Sequence, residues 1–120
     1  PGVAIAPQKH QVIFRWDGYF LFVGFQRPDE PRELYRTGMP AGDFTPGRGF
    51  SMLGQAFSNK LLVFEGKVKV VQYGNNLSAG PLQWWIWLDG ESDDFAALDI
   101  PNAVILQADA ILATLNLLNP

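Results

Sequence analysis

Residues 11–26, QVIFRWDGYFLFVGFQ, set two runs of aromatic and β-branched residues on either side of Asp17-Gly18. That pair accepts the positive φ angles of a two-residue type I′ turn, so the segment predicts an antiparallel hairpin whose register is already fixed. Trp16 then faces Tyr19, Phe14 faces Leu21 and Val12 faces Val23, while Ile13, Phe20 and Phe22 point to the opposite side. Both faces are largely apolar. The remainder of the chain is therefore expected to cover the hairpin on two sides.

A second strand signal lies in QWWIWLDGESDD, residues 83–94. The two-residue period of a strand joins Trp84 to Leu82, Ile86 and Leu88 on one face, and Trp85 to Trp87, Gln83 and Asp89 on the other. One set predicts a core. The other leaves two indoles to be covered by a loop, a second subunit or a ligand. Between these segments, Phe50–Phe57 is apolar but of uncertain type, and KLLVFEGKVKVVQY predicts a strand with Lys67 and Lys69 on a wet face. Glu65-Gly66 is compatible with a tight turn or a bulge.

Asp99 and Pro101 supply helix-start chemistry and Asn119-Pro120 a stop, predicting a helix over 101–118. Val104, Ala108, Ile111, Leu115 and Leu118 make one seam, and Leu106, Ala110, Ala113 and Leu117 a second apolar strip. A helix with two such strips and a single charge, Asp109, calls for two neighbours. Residues 1–10 read as an extended arm, and 27–49 as a long Pro/Gly-rich loop with a helical turn at Pro31–Tyr35. The expected fold over 1–120 is one α+β domain: an antiparallel sheet of about five strands, with an N-terminal hairpin and a C-terminal helix packed on one face.

Composition narrows the functional classes. Only 18% of the 120 residues are charged while 48% are hydrophobic, against a usual charged share of about 25%, so some apolar surface is expected to be covered by a partner. A net charge of -3 with scattered basic residues offers no positive stripe for a phosphate backbone, which argues against nucleic acid. The segment Ala103–Leu118 carries Asp109 and falls short of a bilayer span, so no membrane crossing is expected. PGVAIAPQK lacks the basic start and long apolar run of a signal peptide. The cytoplasm is the default compartment, with a virion-associated role the alternative.

With no cysteine and a single histidine, His10, the chain cannot assemble a thiolate site or the usual zinc ligand sets, and no G-x-S-x-G elbow supports a triad. Asp89, Glu91, Asp93 and Asp94 crowd one turn, yet an EF-hand frame begun at Asp89 puts Asp94 where glycine is required and Ile100 where the bidentate glutamate belongs. GMPAGDFTPGRG lacks the phosphate-loop pattern, although Arg48 within it is suited to an anion. No catalytic residue, metal or cofactor is assigned. Five residues stand as ligand or interface candidates: Trp85, Trp87, Phe44, Phe50 and Arg48.

These features point to a non-enzymatic interaction or assembly protein that self-associates through the aromatic strand and the C-terminal helix, its partner a second copy or another protein. One alternative is a binding module for an apolar ligand or carbohydrate, with Trp85 and Trp87 in a pocket between sheet and long loop. The other is a small acid/base enzyme built on carboxylates of the acidic turn.

Overall fold

The computed structural model describes residues 2–6, 10–31 and 40–118. Its elements are β1 (Val3–Ile5), β2 (Gln11–Trp16), β3 (Tyr19–Gln26), β4 (Thr45–Met52), β5 (Gln55–Phe64), β6 (Lys67–Ala79), β7 (Leu82–Gly90), α1 (Asn102–Ala113) and β8 (Leu115–Leu117). Strands β2–β7 form a six-stranded antiparallel sheet in the order β2-β3-β7-β6-β5-β4, and β1 pairs in parallel with β8. With α1 across one face, this is an α+β domain. It has one strand more in the main sheet than expected, together with a small second sheet.

The N-terminal hairpin has the register its turn dictates: Trp16 opposes Tyr19, Phe14 opposes Leu21 and Val12 opposes Val23. Asp17 and Gly18 both take positive φ, as do Leu53-Gly54 and Glu65-Gly66. Glu65-Gly66 is thus a tight turn joining two strands. Phe50–Phe57 resolves in the same way, into the end of β4, a turn and the start of β5.

β7 lies between β3 and β6 and buries both faces. Leu82, Trp84, Ile86 and Leu88 pack with Leu21, Val23 and Phe25 of β3 against Val104, Ile105, Ala108 and Leu112 of α1. Removing each large side chain of this set from water is worth roughly 1.5–3 kcal/mol, which makes the α1 face the main core. The Trp84 indole N–H donates to the Ala79 carbonyl at 2.8 Å, so its only polar atom is satisfied inside that core. On the opposite face Phe22, Val70, Trp85 and Trp87 form a second, smaller cluster with Phe20, Phe44 and Leu62 beside it.

Bulges break the simple alternation of β6. Its pairing with β5 skips Lys69, so Val68 packs toward the main core and Val70 toward the second cluster. The wet face expected for Lys67 and Lys69 is therefore interrupted: Lys69 is only 3% exposed. Its ammonium donates to the Leu98 carbonyl at 2.7 Å and the Ala96 carbonyl at 3.3 Å, clamping the turn that leads into α1. The Ile100 amide, donating to the Val68 carbonyl at 2.8 Å, pins the same turn to β6.

Three boundaries differ from expectation. Residues 45–49, read as loop, open β4 as an edge strand with a bulge between Pro46 and Gly49, a device that blunts edge pairing. Residues 3–5 of the expected arm form β1. The helix stops at Ala113, because the following LNL pairs with VAI of β1 instead of continuing the seam. Local periodicity cannot see a strand partner more than a hundred positions away. The helical turn expected at Pro31–Tyr35 lies, from residue 32 on, outside the described residues.

Gly2 sits where this β1–β8 junction is tightest, since a Cβ there would lie 2.0 Å from the Thr114 carbonyl oxygen. Gly2→Ala is expected to separate β1 from β8 at a cost of about 1–3 kcal/mol. Hydrogen exchange of the Leu118 amide, which donates to the Ile5 carbonyl at 2.9 Å, should accelerate while amides of β3 and β7 stay protected.

Candidate functional site

Helix α1 has one side built on polar contacts and one side left open. Its inner flank is held by Asp109, the only charged residue of the helix. The Tyr73 hydroxyl donates to Asp109 Oδ1 at 2.7 Å, and Arg48 Nη2 donates to Oδ2 at 2.9 Å. Tyr73 is buried, and burial, with the hydrogen bond and charge of Asp109 next, pushes its phenol well above the ordinary value. It therefore remains a neutral donor. A charge-assisted bond of this kind is worth about 1.5–3 kcal/mol, whereas the half-exposed Arg48–Asp109 pair adds at most about 1 kcal/mol and mainly orients the guanidinium.

Arg48 reaches α1 because of the β4 bulge. At that irregularity the Asn59 side chain of β5 takes over a lost ladder contact, its Oδ1 accepting the Arg48 backbone N–H at 2.8 Å. The carboxamide lies flat against the neighbouring backbone: a Cβ on Gly47 would come within 2.0 Å of Oδ1. Asn59 is 1% exposed. Arg48 Nη1 also approaches Asn102 Oδ1, at 3.3 Å, in the first turn of α1. Between these groups lies a cavity of about 380 Å³ whose apolar wall is Leu61, Val68, Ile100 and Ile105.

The outer side of α1 differs. Asn102, Ala103, Leu106, Gln107, Ala110, Ala113 and Thr114 are all exposed, Leu106 to 52%, and not one carries a charge. Ala103, Leu106, Ala110 and Ala113 are spaced three, four and three apart, the spacing of a helix–helix seam. The strip continues into a groove of about 420 Å³ between α1 and β2, lined by Phe14, Arg15, Trp16, Gln107, Ala110 and Ile111. The Trp16 indole N–H donates to Gln107 Oε1 at 2.7 Å across it.

The five candidate residues are divided between the two faces of the sheet. Trp85 and Trp87 are 2% and 4% exposed within the single chain, and Phe22 stacks on Trp87 with ring centroids 4.1 Å apart. Phe44 joins them, but Phe50 lies on the α1 face, edge-on to Tyr73 at 4.9 Å. The four aromatic residues thus do not line one pocket. Arg48 points to α1 and the cavity.

The acidic turn is accounted for locally. Glu91 pairs with Arg15 at 2.9 Å, and Asp94 caps a turn of 3-10 helix, Phe95–Ala97, by accepting the Ala96 amide at 3.0 Å. His10 Nε2 lies 3.0 Å from Glu30 Oε2. Among the described residues no three His, Asp or Glu side chains are grouped to hold a metal ion, and no helix is long and apolar enough to cross a membrane. Asn59, Tyr73 and Asn102 escape sequence reasoning, since nothing in their spacing announces the bulge that gathers them. Asp109 does carry a signal, as the one charge in an apolar helix.

No family model matches the chain, and no curated protein or solved structure matches it.

Asp89, beside the second cluster, has its carboxyl raised from 3.8 to about 6 by burial, partly offset by the Gly90 amide that donates to it. The folded state thus holds this proton more tightly than the unfolded state. The stability this contributes is fully present below about 3.8 and lost as pH rises through about 6. Asp89→Asn is accordingly expected to stabilise the protein at pH 7 by on the order of 1 kcal/mol, after allowance for solvent screening. Urea unfolding of both forms should show that advantage shrinking to nothing by pH 4.

Proposed function

We propose that this protein is a non-enzymatic assembly module that pairs with a second copy of itself through the outer face of α1. The observation that carries the reading is the uncharged outer arc of that helix, with Leu106 set among Ala103, Ala110 and Ala113. A solvent-facing helix face ordinarily carries charged groups; this one has none over three turns. Alanine at the seam lets two helix backbones approach closely, and Leu106 supplies the larger packing group.

A second copy fits this surface better than an unrelated partner. A two-fold axis presents the same patch from both sides, so an uncharged strip meets an uncharged strip and no carboxylate or ammonium is stranded. The helix strip alone is narrow beside the roughly 800 Å² per partner of a standard interface. The groove onto β2 widens it with the apolar surface of Phe14, Trp16, Ala110 and Ile111, and the one charged residue of its lining, Arg15, is paired with Glu91 of its own chain. Trp85 and Trp87, already covered within the chain, have no part in this contact. Low overall charge supports the same reading, because little else on the chain would oppose association.

Sedimentation equilibrium should show a dimer at concentrations on the order of 100 μM. Ala110→Glu would bury a carboxylate in the seam and weaken association by at least about 100-fold, with the circular dichroism of the folded chain retained. A wild-type chain that stays monomeric, or a dimer indifferent to Ala110→Glu, would overturn the proposal. A dimer broken by Ile13→Lys but not by Ala110→Glu would place the contact at the β2 edge instead.

A further inference from the structure

The main sheet ends in two strands with unlike edges. Among the described residues no strand lies beyond β4 or beyond β2. β4 blunts its free edge with Pro46 and with the break in register between Pro46 and Gly49. β2 has no such device. Its six residues, QVIFRW, contain no proline, glycine or lysine, and they pair with β3 in unbroken register. Its one charged residue, Arg15, is drawn to Glu91 of its own chain at 2.9 Å, with the guanidinium 5.8 Å from the centroid of the Phe20 ring. An apolar edge without a blunting device is a ready template for another strand.

Register decides which backbone groups that edge presents. The His10 carbonyl accepts the Phe25 amide at 2.9 Å, and Trp16 faces Tyr19 across the two-residue turn. Bonded and non-bonded pairs alternate in an antiparallel ladder. Val12, Phe14 and Trp16 therefore turn their backbone groups toward β3, while Gln11, Ile13 and Arg15 turn theirs outward. Side chains alternate as well: Ile13, 38% exposed, shares a face with Phe22, and Phe14 and Trp16 share one with α1. Those two rings line the groove that ends at Ala110. The open edge and the α1 seam thus border one continuous surface.

We propose that β2 pairs antiparallel with β2 of a second copy, joining the main sheets of two chains into one. This rests on self-association through α1 and supplies the remainder of that interface. The two-fold axis stands normal to the joined sheet, so both helices lie on one face and meet across it. The register that uses every outward group sets Ile13 against Ile13 of the second copy and Gln11 against its Arg15, with about six backbone hydrogen bonds. No like charges meet in that register, and the two Ile13 side chains cover each other. The edge supplies area that the narrow α1 strip lacks against the roughly 800 Å² per partner of a standard interface. A second copy suits it better than a foreign peptide, because one axis consumes both open edges and leaves a blunted β4 at each end of the joined sheet.

The test is amide hydrogen exchange of the full chain, read residue by residue in ¹⁵N spectra, with about nine-tenths of it dimeric by sedimentation. The Ile13 and Arg15 amides should exchange at least about fivefold more slowly than in the Ala110→Glu monomer, whereas those of Val12 and Phe14, bonded to β3 in both states, should change little. In a half-labelled mixture, Val12 Hα of one copy should give a cross-peak to Phe14 Hα of the other, since the Ile13-centred register makes them a close non-bonded pair. Ile13→Pro removes the central outward donor, and an edge strand accepts proline where its N–H faces outward. It should weaken association at least about tenfold while β3 and β7 amides stay protected. Should that variant fail to fold, the exchange comparison decides. A dimer whose Ile13 and Arg15 amides exchange as in the monomer would overturn the edge pairing and leave the α1 seam standing. A chain that stays monomeric would overturn both. Slowed Ile13 and Arg15 amides in an Ala110→Glu variant that still dimerises would uphold the edge pairing and remove the seam.

Discussion

The structure depends on a strand with no solvent face. β7 carries Leu82, Trp84, Ile86 and Leu88 to one side and Trp85 and Trp87 to the other, all buried, so the sheet must be covered twice. Alternation of polar and apolar residues would have allowed a sheet with one wet face, and its absence here forbids that. The chain meets the demand unequally. An entire helix covers the first side, whereas the described cover of the second is a few side chains, Phe44 among them, gathered on Phe22, Val70 and the two indoles.

Bulges convert this layered frame into specific positions. Val70–Ala79 of β6 pair with Leu82–Asp89 of β7, and the two extra residues of β6 are absorbed where Tyr73 and Asn76 are skipped in the pairing. Tyr73 is thereby turned under α1, where it meets Asp109. On the neighbouring strand pair the β4 irregularity lets Asn59 reach across to Arg48. The polar network under the helix thus arises from departures from regular strand geometry, on a sheet whose regular positions are occupied by hydrocarbon.

That division explains what was legible in the sequence. The hairpin register follows from Asp17-Gly18 alone, and the separation of Trp84 from Trp85 and Trp87 follows from a two-residue period, because both are local rules that tertiary packing did not need to override. The end of α1 and the fate of Lys69 depend on partners distant in sequence. Leu115–Leu117 keeps a helical apolar pattern, yet β1 captures it as a strand; Lys69 sits in an alternating run, yet a bulge turns it inward onto two carbonyls. The candidate residues show the same limit. Phe44 and Phe50 flank the same short segment, but β4 carries Phe50 to the helix side and leaves Phe44 on the other. Residue type marks all five as notable. Only the fold decides which share a surface.

Asp109 links the two halves of the functional reading. It is the one charge on α1, and Tyr73 and Arg48 hold it from the sheet, which fixes the rotation of the helix about its axis. Rotation in turn decides which residues face outward. Hydrophobicity favours the same rotation, since Val104, Ile105, Ala108 and Leu112 carry more hydrocarbon than Leu106, Ala110 and Ala113. A carboxylate that must reach a phenol and a guanidinium reinforces that choice: with Asp109 inward, Val104, Ile105, Ala108 and Leu112 take the core and the alanine seam is left to water. The polar cluster below the helix and the apolar set beside it therefore fix the same orientation. With that contact inward, Leu106 and its alanine neighbours stay on the solvent side with no charge among them, which is the physical ground for reading this face as a surface for assembly.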